Sequence, residues 1–265
     1  MLADIKSYVF LKKEELKKEV LKLEVKPHLL IIQVNDDVAS NSYIKGKIKD
    51  CSEIGVICDL LKLDINISQS ELLSIIDKYN KDNKIHGILV QMPLPKQINE
   101  DVIKQSIDPK KDVDGFNKLS KFKPCTPYGI IKYLEFINYE FKSKNAVIIN
   151  RSNIVGKPLI NLLLEKDCNV TVLHSKTTLE DMKYYLQHAD LIVSAIGKPH
   201  ILKGYNFKKD AVLIDVGISR IDGKLCGDFE TNNDVKLQTP VPGGIGLITR
   251  LTLLENLLEA YRNEL

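Results

Sequence analysis

The chain lacks the marks of a disulfide-built, zinc-bound or membrane-embedded protein. Its five cysteines (Cys51, Cys58, Cys125, Cys168, Cys226) stand far apart, with no Cys-x-x-Cys and no histidine pair nearby. An odd, scattered set argues against a disulfide framework and against a structural zinc site. No apolar run approaches the roughly 20 residues that span a bilayer. The opening Met1-Leu2-Ala3-Asp4-Ile5-Lys6 has no apolar core of the signal-peptide kind. A block of one charge is missing as well: 38 basic and 35 acidic residues leave a net charge of +3. Nucleic-acid binders concentrate their excess in a stripe or tail. Here lysines interleave with glutamates, as in Lys12-Lys13-Glu14-Glu15, which is the pattern of a solvated helix face. The expectation is a protein of the reducing cytoplasm, with no nucleic-acid partner, no membrane partner and no metal.

What is present is a globular chain. Hydrophobic residues make up 44% and charged residues 28% of 265 positions, enough for one large domain or two modest ones. Short, nearly continuous apolar runs recur at His28–Val34, Val56–Leu61, Ile85–Gln91, Ala146–Asn150, Val170–Leu173, Leu191–Ala195 and Val212–Val216. Such runs read as parallel strands covered on both faces. Helical patterns lie between most of them, with start signals at Thr126-Pro127 and at Thr177-x-x-Glu180. The alternation predicts an α/β fold in two lobes, each a parallel sheet built from βαβ units. Ile107–Pro124, rich in proline and charge and without periodicity, reads as the linker. A last helix, Leu247–Asn263, is apolar at Leu251, Leu254, Leu258 and Tyr261.

The Gly-x-Gly-x-x-Gly fingerprint is absent. In its place Asn150-Arg151-Ser152-Asn153-Ile154-Val155-Gly156-Lys157-Pro158 follows a strand and opens a helix. Backbone N–H groups at such a helix start suit a diphosphate, and the pattern fits an ordinary βα turn equally well. The next strand ends in His174-Ser175-Lys176-Thr177 instead of the acid that accepts from a ribose 2′-hydroxyl. Ser175, Lys176 and Arg151 are suited to a 2′-phosphate, which favours NADP; the bland reading makes Lys176 solvated and Ser175–Thr177 a helix cap.

In the first half, Ser40, Tyr43 and Lys47 share one helix face at i, i+3 and i+7. A lysine there handles protons only if burial lowers its pKa, and the pattern does not separate Lys47 from Lys45 and Lys49. Gln91-Met92-Pro93-Leu94-Pro95 follows a strand, where ligands of open α/β sheets bind, or where a turn carries an incidental glutamine. Asp108–Phe116 sets carboxylates in a tight turn whose spacing is not that of a calcium loop; Asp in such turns usually bonds its own backbone.

These segments, in order, resemble the bifunctional methylenetetrahydrofolate dehydrogenase/methenyltetrahydrofolate cyclohydrolase family. The resemblance rests on Tyr43-x-x-x-Lys47, Val90–Pro95, Pro109-x-Lys111-Asp112-Val113-Asp114-Gly115-Phe116, Pro124–Pro127, Arg151-Ser152-x-x-Val155-Gly156-x-Pro158, His174–Thr177 and Thr239-Pro240-Val241-Pro242-Gly243-Gly244-Ile245-Gly246. It implies a folate-binding catalytic domain over 1–118, completed by the helix 247–265, and a Rossmann-like NADP-binding domain over 119–246. It implies Lys47, Tyr43, Gln91 and Asp114 as catalytic residues, with Ser40 and Gly243 beside them at the folate. Asn150, Arg151, Ser152, Ser175 and Ile218 would line the NADP site. The implied reaction oxidises 5,10-methylenetetrahydrofolate with NADP and hydrolyses the methenyl product to 10-formyltetrahydrofolate, in a homodimer. Asn150 stands where the family usually has glycine, as do Asn35 for glycine, Val38 for proline and Leu247-Ile248 for Pro-Met. Two other readings keep parts of the pattern: an NADP-dependent dehydrogenase of the shikimate or amino-acid type, and a dinucleotide sensor without turnover.

Overall fold

The structure, a computed structural model, describes residues 1–231 and 234–264; Leu265, at the end of the expected last helix, lies outside them. The chain forms two compact units, Phe10–Cys125 with Arg250–Leu265, and Met1–Val9 with Thr126–Thr249.

The first unit follows helix α1 (Ile5–Leu21) with β1 (His28–Gln33), α2 (Val38–Ile54), β2 (Ile57–Lys62), α3 (Gln69–Asn80), β3 (Gly87–Val90) and α4 (Glu100–Ser106). Its sheet is parallel in the order β2-β1-β3. Central β1 explains its own sequence: Leu29 and Ile31 face one core with Ile44, Cys51 and Leu254, whereas Leu30 and Ile32 face another with Leu72, Ile76 and Ile103. A strand covered twice shows no polar alternation. Asp37 starts α2 by accepting from the N–H groups of Ala39 (2.9 Å) and Ser40 (3.0 Å), and Gly55 ends it at φ 84°.

The second unit contains α5 (Cys125–Phe136), β4 (Asn145–Ile149), α6 (Gly156–Leu164), β5 (Asn169–Leu173), α7 (Leu179–His188), β6 (Leu191–Ser194), β7 (Val212–Asp215), the hairpin β8 (Ser219–Ile221) and β9 (Lys224–Cys226), and β10 (Leu237–Gln238). The main sheet is parallel in the order β10-β7-β6-β4-β5. The chain builds outward from β4 to β5 and then returns to the other side of β4 with β6. That reversal opens a crevice at the carboxyl ends of β4 and β6. The last helix, α8 (Ile245–Glu264), supplies Leu253, Leu254, Leu257 and Leu258 to the core of the first unit, each burial worth about 1.5–3 kcal/mol.

Several local expectations shift. Helix α5 opens at Cys125 instead of behind a Thr126 cap, and the Thr126 hydroxyl pairs with that of Thr249 at 2.9 Å. Thr178, not Thr177, caps α7 by accepting from Asp181 N, while Thr177 Oγ1 accepts from His174 N and closes the preceding turn. Residues 1–9, expected with the first lobe, belong to the second unit because they extend its sheet edge: Ala3 N donates to Gln238 O and Gln238 N to Met1 O. Hairpin β8–β9 has no apolar run to betray it, although Asp222-Gly223, both at positive φ, is a hairpin-turn dipeptide. Among the described residues no helix is long and apolar enough to cross a membrane.

Candidate active site

Burial separates the three lysines of α2. Lys45 and Lys49 are exposed, whereas Lys47 is 5% exposed and donates from Nζ to Gln91 Oε1 at 3.0 Å. Its Nζ also lies over the Tyr43 ring, 4.8 Å from the centroid. Gln91 leaves the end of β3, and its Nε2 donates to Met92 O at 2.7 Å, which fixes the carboxamide with its oxygen towards the lysine. Burial pushes the Lys47 pKa down, against the pull of Asp114, which opposes the shift. Ser40, one turn before Tyr43, is buried near the start of the helix.

Arg250 adds a second cation. Its Nε donates to buried Asp50 at 2.6 Å, and its guanidinium lies against Gly46, where a Cβ would come within 2.3 Å of Nη1. That charge also lowers the Lys47 pKa. The sequence hid this contact because the partners lie 200 positions apart.

Asp114 follows from a turn tied down on several sides. Its surroundings desolvate the carboxyl and raise its pKa, and the charge of Lys47 works against that rise. The buried Cys125 thiol lies beside it and donates to Val113 O at 3.3 Å. Asn256 of α8, 2% exposed, donates from Nδ2 to Val113 O (2.9 Å) and Lys123 O (3.3 Å). Cys125 and Asn256 carried no site reading in the sequence. The first unit thus gathers Ser40, Tyr43, Lys47, Gln91 and Asp114. Gly243 lies in the other unit, at φ 92° after the cis Val241-Pro242 bond.

In the second unit, the register aligns Ile149 with Leu173 on one side and with Ser194 on the other. The segments starting at Asn150, His174 and Ala195 therefore leave adjoining strand ends. Asn150 organises the turn after β4: its Oδ1 accepts from the N–H groups of Ser152 (2.8 Å) and Gly156 (3.1 Å), and its Nδ2 donates to Ala195 O (2.7 Å). Val155 N donates to Ser152 Oγ at 3.1 Å. These amides, expected to face a diphosphate, are engaged by the chain itself. A Cβ at position 156 would meet Asn150 O at 2.4 Å, so only glycine lets the helix start this close to the strand end. Arg151, Ser175 and Lys176 are exposed at two neighbouring strand ends, and Ile218, 58% exposed, follows β7. The absence of an acid after β5 and the exposed Arg151 fit a dinucleotide bearing a 2′-phosphate. Among the described residues no histidine, cysteine and carboxylate cluster is arranged to hold a metal.

Comparison with known proteins agrees with this division of labour. The family model for the tetrahydrofolate dehydrogenase/cyclohydrolase catalytic domain matches residues 5–114, and that for the NAD(P)-binding domain matches residues 124–265. Bifunctional protein FolD of Halalkalibacterium halodurans is 42% identical over 277 residues, covering 99% of each chain. The crystal structure of bifunctional FolD from Campylobacter jejuni matches with a TM-score of 0.96 at 40% identity, over 100% of this chain and 99% of its own. The Trypanosoma brucei dehydrogenase-cyclohydrolase, solved with NADP cofactor and inhibitor, matches with a TM-score of 0.93 at 28% identity, over 99% of this chain and 97% of its own. With both halves matched along nearly their whole length, the chain belongs to the bifunctional tetrahydrofolate dehydrogenase/cyclohydrolase family.

Proposed function

We propose that this protein, an NADP-dependent methylenetetrahydrofolate dehydrogenase and methenyltetrahydrofolate cyclohydrolase, uses Lys47 as the base of its hydrolytic step. The observation that carries this reading is the buried Lys47 amine facing Gln91 Oε1 at 3.0 Å. Loss of hydride from 5,10-methylenetetrahydrofolate leaves a cation on the one-carbon bridge. A permanently charged lysine beside it would oppose that step, and burial, by lowering the Lys47 pKa, favours the neutral amine. Bound NADP supplies the hydride acceptor. Neutral Lys47 then takes a proton from the water that adds to the methenyl carbon. The carbon–N5 bond then breaks as the hydroxyl of the adduct passes its proton to N5, the formyl group stays on N10, and Lys47 releases its proton to solvent.

The remaining residues take supporting roles. Tyr43 stacks on or bonds to the substrate near the lysine, and Gln91 tunes Lys47 through its carboxamide oxygen. Asp114 grips the pterin edge, which presents paired N–H donors. Ser40 completes the folate contacts of the first unit. Arg151, Ser152 and Ser175 hold the phosphates of NADP, with Asn150 and Ile218 against the rest of the dinucleotide. The unit of Lys47 is the folate half and the unit of Arg151 the NADP half. Free thiols at all five cysteines support residence in a reducing cytoplasm. The working form is a homodimer, which sedimentation analysis would test through the mass of the particle.

A spectrophotometric assay decides the reading. Methylenetetrahydrofolate with NADP should yield NADPH and, transiently, the methenyl chromophore. Methenyltetrahydrofolate alone should lose its absorbance faster with the protein than without it. Failure of both reactions would sink the proposal.

A further inference from the structure

We infer that Asp228 is the positioning residue of the dinucleotide crevice, holding the segment after β6 and the turn after β7 as one block. The inference rests on the reading of the second unit as the NADP half. It starts from a segment that has no regular structure of its own. Ala195–Lys198 leaves β6 at the point where the strand order reverses, and something other than a helix or ladder must fix its backbone.

Asp228 does so. Its side chain is fully buried and accepts four hydrogen bonds: from Ser194 Oγ (2.6 Å), Ile196 N (2.8 Å), Gly197 N (2.9 Å) and Lys198 N (2.9 Å). Successive N–H groups converging on one point form the kind of concavity that proteins use to bind anions. Here the anion belongs to the chain. The same carboxyl presses on the next strand end, because a Cβ at Gly217 would lie 2.3 Å from its Oδ1.

A second carboxylate sets the first. Asp215, 2% exposed, accepts from the N–H groups of Gly217 (3.1 Å), Asp228 (3.1 Å) and Phe229 (3.0 Å). A Cβ at Gly227 would lie 2.0 Å from Asp215 Oδ2. The two aspartates thus cross, each pressing on the glycine beside the other's segment. Ser219 Oγ closes the block by donating to Gly197 O at 2.7 Å, and Asn150 Nδ2 ties it to the turn after β4 through Ala195 O. Ile218 stands exposed at the end of this block, so its placement depends on the backbone that Asp228 holds.

Asp228→Asn replaces one acceptor with an NH₂ group that confronts backbone donors. Isothermal titration of this variant with NADP should show the Kd raised at least about tenfold, the scale of a lost charge-assisted bond. The KM for NADP should rise in parallel, while the KM for methylenetetrahydrofolate stays within about twofold. Ser219→Ala, a half-buried side chain outside the hydrophobic core, should raise the Kd by about threefold and decides the matter if circular dichroism shows Asp228→Asn unfolded. NADP affinity at the parent level in a folded Asp228→Asn, or in Ser219→Ala where Asp228→Asn does not fold, overturns the inference. A parent protein that binds no NADP overturns the underlying reading and this inference together.

Discussion

Gln91 Oε1 accepts from Lys47 Nζ at 3.0 Å, while the other end of the same carboxamide is anchored on the Met92 carbonyl. The anchor denies the lysine a donor and offers it only an acceptor. A neutral acceptor tolerates the uncharged amine; a carboxylate in the same place would favour the ammonium. Gln91→Glu should therefore move the rising limb of the pH–rate profile for methenyl hydrolysis to higher pH, because the base form appears only above the raised pKa. A profile that does not move would separate Gln91 from the tuning of Lys47.

Lys47→Met should slow methenyl hydrolysis by about 10²–10⁴-fold, the usual range for general-base help, with folate and NADP still bound. Hydride transfer should survive better, since the protein mainly positions the two rings for it. Lys45→Met and Lys49→Met, both on the exposed side of α2, should hydrolyse at the parent rate. Three variants with parental rates would return Lys47 to the status of a structural side chain.

Arg151 is exposed at the end of β4, beside the acid-free end of β5. Arg151→Ala should weaken NADP by about 1.5–3 kcal/mol and NAD far less, as expected for a charge-assisted contact to the 2′-phosphate. Titration of both cofactors checks it, and equal losses would exclude a phosphate-reading role.

Asp112 links pH to stability. Burial pushes its pKa from 3.8 up to about 7, and among the described residues its Oδ1 has no hydrogen-bond partner. The folded state holds this proton more tightly than the unfolded state does. Its contribution is therefore complete below pH 3.8 and is lost as pH rises through about 7. By linkage the loss is on the order of 4 kcal/mol at most. The urea midpoint of the parent should fall more between pH 5 and pH 8 than that of Asp112→Asn, which cannot ionise and keeps the acceptor for Asn117 N. Parallel midpoints would show that Asp112 does not titrate in this range.

The sequence carried the parallel strands because doubly covered strands must be apolar throughout, and His28–Gln33 and Leu191–Ser194 lie where such runs predict them. It carried less where function depends on partners far along the chain. By its pattern alone Lys47 was one of three equivalent lysines, and only the resemblance singled it out; the physical distinction came when the fold buried it against Gln91, the residue that follows β3. Arg250 and Asn256 gave no periodic or motif signal, and Cys125 stood inside the Pro124–Pro127 run without a site role, since each matters through a neighbour supplied by another segment. Asp228 was similarly silent: a lone aspartate before a phenylalanine acquires meaning only when the amides after β6 converge on it. The helix starts misread at Thr126 and Thr177 follow from hydroxyls that bond elsewhere, a choice made by tertiary contacts.

The carboxamide of Asn150 bears on how quickly and how tightly a dinucleotide is captured. Fixing the backbone of a residue costs about 1–2 kcal/mol, and a turn left loose would charge that cost to the ligand. Here the Ser152 and Gly156 amides are already bonded to Asn150 Oδ1, so the turn takes its shape when the chain folds. Binding then leaves the motion of this backbone nearly unchanged. In the cofactor-free protein, the Gly156 amide should exchange its hydrogen with solvent slowly, and adding NADP should slow it little further.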